Sequence, residues 1–184
     1  MVSHNYGSIW SGVYKRELIT NNNIYFPEHL AYEDNYWVYA IQMLMNSVGI
    51  LKSEYYYYRI HGESTVQKKN SLHHYDMLEI IKKFLEYVNK NQLMDRYKTI
   101  LEFLFIEVFT YNSFSIIINR FDHPNIDTLN EIKALLKENF PEWRKNCLYQ
   151  RIFTIRKKVS MNMLMMFPTA MYIQIIKRLY SLFK

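Results

Sequence analysis

Two adjacent carboxylates, Glu33 and Asp34, stand where a polar, turn-rich stretch gives way to an apolar run of helical period. A carboxylate at a loop edge can take the proton from a hydroxyl while that hydroxyl attacks an electrophilic carbon. The same pair also suits a helix start, with Asp34 as N-cap and Glu33 beside the positive end of the helix dipole. Taken alone, the pair fits either duty. Arg59 and His61 follow a run of four tyrosines, Tyr55 to Tyr58. A guanidinium forks onto phosphate oxygens, and a neutral imidazole can ligate a divalent metal or hydrogen-bond an oxygen. A loop histidine without a duty is the other reading of His61.

The remaining reactive side chains read as structural. His73 and His74 are neighbours on a predicted helix and point about 100° apart, so they do not chelate together and are expected as a surface pair. Asp122, His123 and Asp127 have the types of a metal cluster, but Pro124 and the helix-start pattern after it make this a turn. Glu107, within Phe105–Phe109, is expected as a buried carboxylate that needs a partner. The single cysteine, Cys147, excludes an intrachain disulfide and a cysteine zinc site. It is expected as an inert buried thiol in a reducing compartment.

The elements that must position these groups follow from periodicity. Residues 8–13 read as a turn or short strand, and 14–19 as one or two helical turns closed by Asn21-Asn22-Asn23. Ile24-Tyr25-Phe26 is a β-prone run stopped by Pro27. From Asp34, the apolar positions Trp37, Val38, Ile41, Leu44, Met45 and Val48 keep helical spacing, with Gly49 as the end. Residues 50–60 read as a strand, with Tyr55 and Tyr57 on one side and Tyr56 and Tyr58 on the other. The loop His61-Gly62-Glu63-Ser64 follows it.

Beyond residue 70 the pattern is helical. A helix is predicted over 72–90, with Tyr75, Leu78, Ile81, Leu85 and Val88 on one face. Residues 93–119 are apolar nearly all round, as in a central packed helix. Phe121-Asp122-His123-Pro124 breaks that run, and Thr128-x-x-Glu131 reads as a capping box opening a helix to about Asn139. Segments 143–158 and 160–184 follow, the second interrupted by Pro168. The expected fold is α+β and mostly helical, with an incomplete α/β portion over 1–70 and an all-α domain over 71–184.

Charge is unevenly spread. The net charge is +6, yet residues 143–184 hold nine basic residues and no acid, which leaves 1–142 at −3. This is a near-neutral body with a basic tail, and no nucleic-acid motif accompanies it. From Val159 to Ile176 the tail is uncharged and rich in methionine. It reads either as packed core or as an interfacial segment, with Lys157, Lys158, Lys177 and Arg178 toward anionic headgroups.

Order and spacing together suggest a family. Trp10 precedes Tyr14-Lys15-Arg16, then come Phe26-Pro27-Glu28, Tyr32-Glu33-Asp34 and Tyr57-Tyr58-Arg59-x-His61-x-x-Ser64. Over roughly residues 8–66 this resembles the acceptor-side half of family 2 glycosyltransferases of the GT-A fold. The resemblance implies an inverting transfer from a nucleotide-sugar to a hydroxyl of a glycan or lipid-linked acceptor, in bacterial polysaccharide or glycoconjugate assembly. It implies Asp34 as general base and Glu33 as its assistant. Trp10, Lys15, Arg59, His61 and Ser64 become substrate-binding candidates, and His61 a candidate ligand of Mn or Mg. The family's donor half carries an Asp-x-Asp metal motif, and no two aspartates of this sequence are spaced by one residue. A glycine-rich phosphate loop is also missing. The expectation is therefore an acceptor-side segment that does not transfer sugar alone, with no certain cofactor of its own, in a cytoplasmic or membrane-associated setting. The rival expectation is a non-enzymatic helical module that binds a membrane or a protein through its tail.

Overall fold

The structure, a computed structural model, describes residues 9–50, 56, 57, 59 and 67–182. The chain is mostly helical, and among the described residues there is no strand. The segment expected to be α/β contributes two helices and extended connections. Its predicted strand is represented by Ile50, Tyr56, Tyr57 and Arg59 alone, which carry no strand pairing, and the rest of it lies outside the described residues.

A short helix α1 (Arg16–Thr20) ends in the asparagine run, and α2 (Glu33–Gln42) follows an extended stretch. Next come a 3-10 turn (Leu72–Tyr75), α3 (Asp76–Lys90), α4 (Met94–Leu104), a π-helical segment (Phe105–Asn112) and α5 (Ser113–Arg120). The last four α-helices are α6 (Ile126–Asn139), α7 (Cys147–Ile152), α8 (Ile155–Met166) and α9 (Thr169–Leu182).

The central rod is the continuous run Met94–Arg120, long and apolar enough by composition to cross a membrane. Here it is the packed core: Leu101, Phe103, Phe105, Ile106, Phe109 and Phe114 are buried beneath the other helices. Helix α3 lies between α2 and α6, α7 packs on α4, and α9 packs on α6 and α8. The buried cluster runs without interruption from Ile24 through Trp37 to Ile173.

Several local expectations are corrected. Helix α2 stops at Gln42, not at Gly49, because the Tyr97 hydroxyl donates to the carbonyl of Met43 at 2.6 Å and fixes the chain there. Val48 is consequently exposed. Helix α6 is capped by Asn125, whose side chain accepts from the amides of Asp127 and Thr128, so it begins before Thr128. The stretch 143–158 divides at Phe153, and Thr154 caps α8 by accepting from the amide of Lys157. Cys147 opens α7 and is exposed, since the buried face of that helix is Tyr149.

Candidate functional site

The head of α2 is built from its neighbours. Trp37 is buried, and its indole N–H donates to the carbonyl of Ile24 at 3.2 Å. Tyr14 meets the Trp37 ring edge-on at 4.8 Å, and Phe26 stacks on it at 5.0 Å. Tyr14 and Phe26, from the two motif stretches that precede α2, thus both pack on the helix that Tyr32-Glu33-Asp34 opens.

Tyr32, just before α2, has a left-handed backbone (φ 65°), which is unfavourable for a residue with a Cβ. A clamp holds it. The Tyr32 hydroxyl lies 2.6 Å from Nδ1 of His74, and Nε2 of His74 lies 2.8 Å from the carbonyl oxygen of Lys68. A carbonyl only accepts, so Nε2 carries a proton; in the neutral ring Nδ1 then accepts from Tyr32. Burial raises the Tyr32 phenol, against the lowering influence of Arg120, which keeps the hydroxyl in its donating form. Beside it, the Ala31 amide donates to Oδ2 of Asp76 at 3.0 Å. His74 is 2 % exposed, so it is not one of a surface pair as expected. His73 is exposed, and its Nδ1 lies 3.3 Å from the same Asp76 oxygen.

Within this frame Asp34 sits in the first turn of α2 and is not its N-cap; Tyr32 holds that position. The Asp34 carboxyl is half-buried. Its Oδ1 accepts from the amide of Asn35 at 2.9 Å. Burial, and then the charge of Glu33, push it above the ordinary aspartate range. A carboxylate so placed is a stronger base than a solvated one. Further along α2, burial together with Glu107 and Asp34 pushes the Tyr39 phenol up to about 12.

The other predicted site residues scatter. Trp10 is about half exposed and stacks on Tyr56 at 4.6 Å, which joins the first turn to the tyrosine run. Lys15 is exposed at the N-cap position of α1. Arg59 is exposed and has no ion-pair or hydrogen-bond partner among the described residues. His61 and Ser64 lie outside the described residues. Among the described residues no group of three or more His, Cys, Asp or Glu could hold a metal ion. Asp122 accepts from the side chain of Asn70 at 2.8 Å, a loop-fixing role. Glu107 has the partner it required, Lys157 at 3.2 Å, with the ammonium also over the rings of Phe153 and Tyr111.

Sequence reasoning missed two features. The first is the Tyr32–His74 clamp; the adjacent histidines were its only trace in the chain. The second is an open groove of about 810 Å³ between the loop after α1 and helix α3. Its walls include Asn21, Asn22, Asn23, Tyr25, Phe26, Tyr36, Tyr87 and Asn91. Tyr36 is two positions beyond Asp34, about 200° further round α2, so groove and carboxyl occupy different faces of that helix. No protein-family model, curated protein or solved structure matches this chain.

Proposed function

We propose that this chain is the acceptor-side part of an inverting glycosyltransferase resembling family 2, with Asp34 as the base that deprotonates the acceptor hydroxyl. The observation that supports this reading is the packing of Tyr14 and Phe26 on Trp37, in the same helix whose first turn carries Glu33 and Asp34. Two of the aromatic motif residues, Tyr14 and Phe26, thus pack against the helix that carries Asp34, and the Asp34 carboxyl is half-buried and raised above the ordinary aspartate range. The acceptor oxygen would attack the anomeric carbon, the bond from that carbon to the nucleoside diphosphate would break, and the hydroxyl proton would pass to Asp34. Glu33 raises the proton affinity of Asp34 through its charge. Under this reading the GT-A sheet and the diphosphate metal belong to a donor half, and the resemblance assigns Arg59 and His61 to its diphosphate side.

The test is reconstitution with a family 2 donor half supplied in trans, a nucleotide-sugar, Mn²⁺ and a lipid-linked glycan acceptor. Product is expected from the mixture, with Asp34→Asn lowering the rate by about two to four orders of magnitude. An undiminished rate in that variant removes Asp34 from the chemistry. Saturable heat from the isolated chain titrated with nucleotide-sugar and Mn²⁺ would overturn the acceptor-side assignment.

A second reading, docking to a membrane surface, has its own observation. Ile155, Val159 and Met166 on α8 are 81 %, 54 % and 72 % exposed in a region without acidic residues.

A further inference from the structure

The groove beside α1 and α3 lies off the Asp34 face of α2 and shares Phe26 with the cluster on Trp37, but neither reading assigns it a ligand. Its lining holds two acids, Glu28 and Glu86, and two ammonium groups, Lys83 and Lys90, so its formal charge balances. That balance gives no advantage to a nucleotide, a phosphate or any other polyanion. What the lining concentrates is amide and aromatic surface. Tyr25 and Phe26 are 59 % and 41 % exposed, and Phe26 is braced from behind by its stack on Trp37. The amide of Asn22 donates to the carbonyl of Leu18 and that of Asn91 to the carbonyl of Tyr87, at 2.9 and 2.8 Å. Those bonds orient the two side chains and use only their N–H groups, leaving the amide oxygens as acceptors.

Hydroxyl groups that both donate and accept, mounted on rings with apolar C–H faces, match such a wall. We propose that this groove binds a neutral oligosaccharide, with pyranose faces on Tyr25 and Phe26 and hydroxyls on the asparagine amides. Its volume of about 810 Å³ lies high in the range of small-ligand sites and suits several linked sugar rings better than one. Because Asp34 is on another face of α2, the site holds glycan away from the proposed base. It stands whether or not Asp34 transfers sugar.

The test is calorimetry of the chain with maltohexaose, cellohexaose and chitohexaose, and with a hexamer of galacturonic acid as the anionic control. At least one neutral hexamer should bind at millimolar concentration or below. Tyr25→Ala should weaken it about fivefold or more. Asn23→Gly should do the same, since it deletes an amide while glycine keeps the left-handed backbone found there (φ 51°). Asp34→Asn should leave binding unchanged. Preference for the anionic hexamer, no binding by any neutral one, or affinity indifferent to both groove substitutions overturns the proposal. Loss of binding in Asp34→Asn would relocate the glycan to the head of α2.

Discussion

Burial and the charge of Glu33 both disfavour the ionised form of Asp34, so its carboxyl binds a proton more tightly in the folded chain than in the unfolded one. From the ordinary aspartate value up to the raised folded value, the folded state holds more protons. Stability therefore falls as pH rises through that window, and the penalty is fully present above it. Asp34→Asn removes the penalty while keeping an oxygen to accept from the Asn35 amide. The variant should melt above the unaltered chain at pH 7, and the gap should close below the ordinary carboxylate range. Thermal melts of both proteins at pH 7 and pH 3 check this. Identical gaps at the two pH values would mean that the carboxyl is not held out of water. If Asp34 is the base proposed above, one substitution both stabilises the fold and slows transfer, as for a group kept at a cost in stability. The left-handed Tyr32 is a second local strain at the same helix start, fixed by His74.

Helix α7 is six residues long, too short to persist on propensity alone. Its anchor is Asn146, whose side-chain oxygen accepts from the amides of Leu148 and Tyr149 at 2.9 and 3.0 Å. The amide group of the same side chain donates to Glu102 Oε2 at 2.8 Å and to the carbonyl of Thr99 at 2.9 Å. Asn146 therefore caps one helix and satisfies a buried carboxylate on α4. Asn146→Ala removes the cap and strands Glu102, at a cost of about 2–4 kcal/mol read as a shifted urea midpoint. Asn146→Asp keeps the capping oxygen but sets a second carboxylate against Glu102. Its deficit should shrink as pH falls, which separates the two duties. A cost well under 1 kcal/mol for both variants would show that water serves Glu102 equally well.

Strongly periodic elements were legible. The long rod ending before Asp122 and the interruption at Pro168 follow from side-chain spacing, whereas the face of α3 was only partly read: Ile81, Leu85 and Val88 are buried as expected, but Met77, Ile80 and Phe84 fill the core where Tyr75 and Leu78 were expected. The caps were less so, because Asn125 and Thr128 are both good caps by type, and only the backbone decides between them. The division of α7 from α8 at Phe153 has no glycine or proline to announce it. At the candidate site, Asp34 and the aromatic motifs could be named from the chain. The histidine that clamps Tyr32 and the asparagine groove depend on contacts between α2, α3 and the loops, which local pattern does not encode.

For the molecule as a whole, the uneven charge acquires a shape. Positions 155, 159, 163 and 166 fall within about 80° of one another round α8, forming an apolar stripe about 16 Å long. Ile155, Val159 and Met166 on that stripe are exposed, and Met163 is half-buried. Arg151 and Arg156 are exposed near its start and have no ion-pair partner among the described residues. Lys157 is occupied by Glu107, and Lys177 donates to the carbonyls of Phe121 and Asp122. Two unpaired arginines thus sit beside the stripe, and Arg178 on α9 is a further exposed cation of the tail without an ion-pair partner among the described residues. A helix with exposed apolar side chains and unneutralised arginines suits the boundary of an anionic bilayer, lying in its plane. The chain should co-sediment with vesicles containing phosphatidylglycerol and stay in solution with pure phosphatidylcholine. Val159→Asp with Met166→Asp should lower the partition coefficient about tenfold or more, and Arg151→Glu with Arg156→Glu should remove the preference for anionic lipid. Both pairs are on the surface, so melting temperature should hold. If the aspartate pair instead dissolves a dimer seen by light scattering, and vesicles never retain the chain, the stripe is a protein interface.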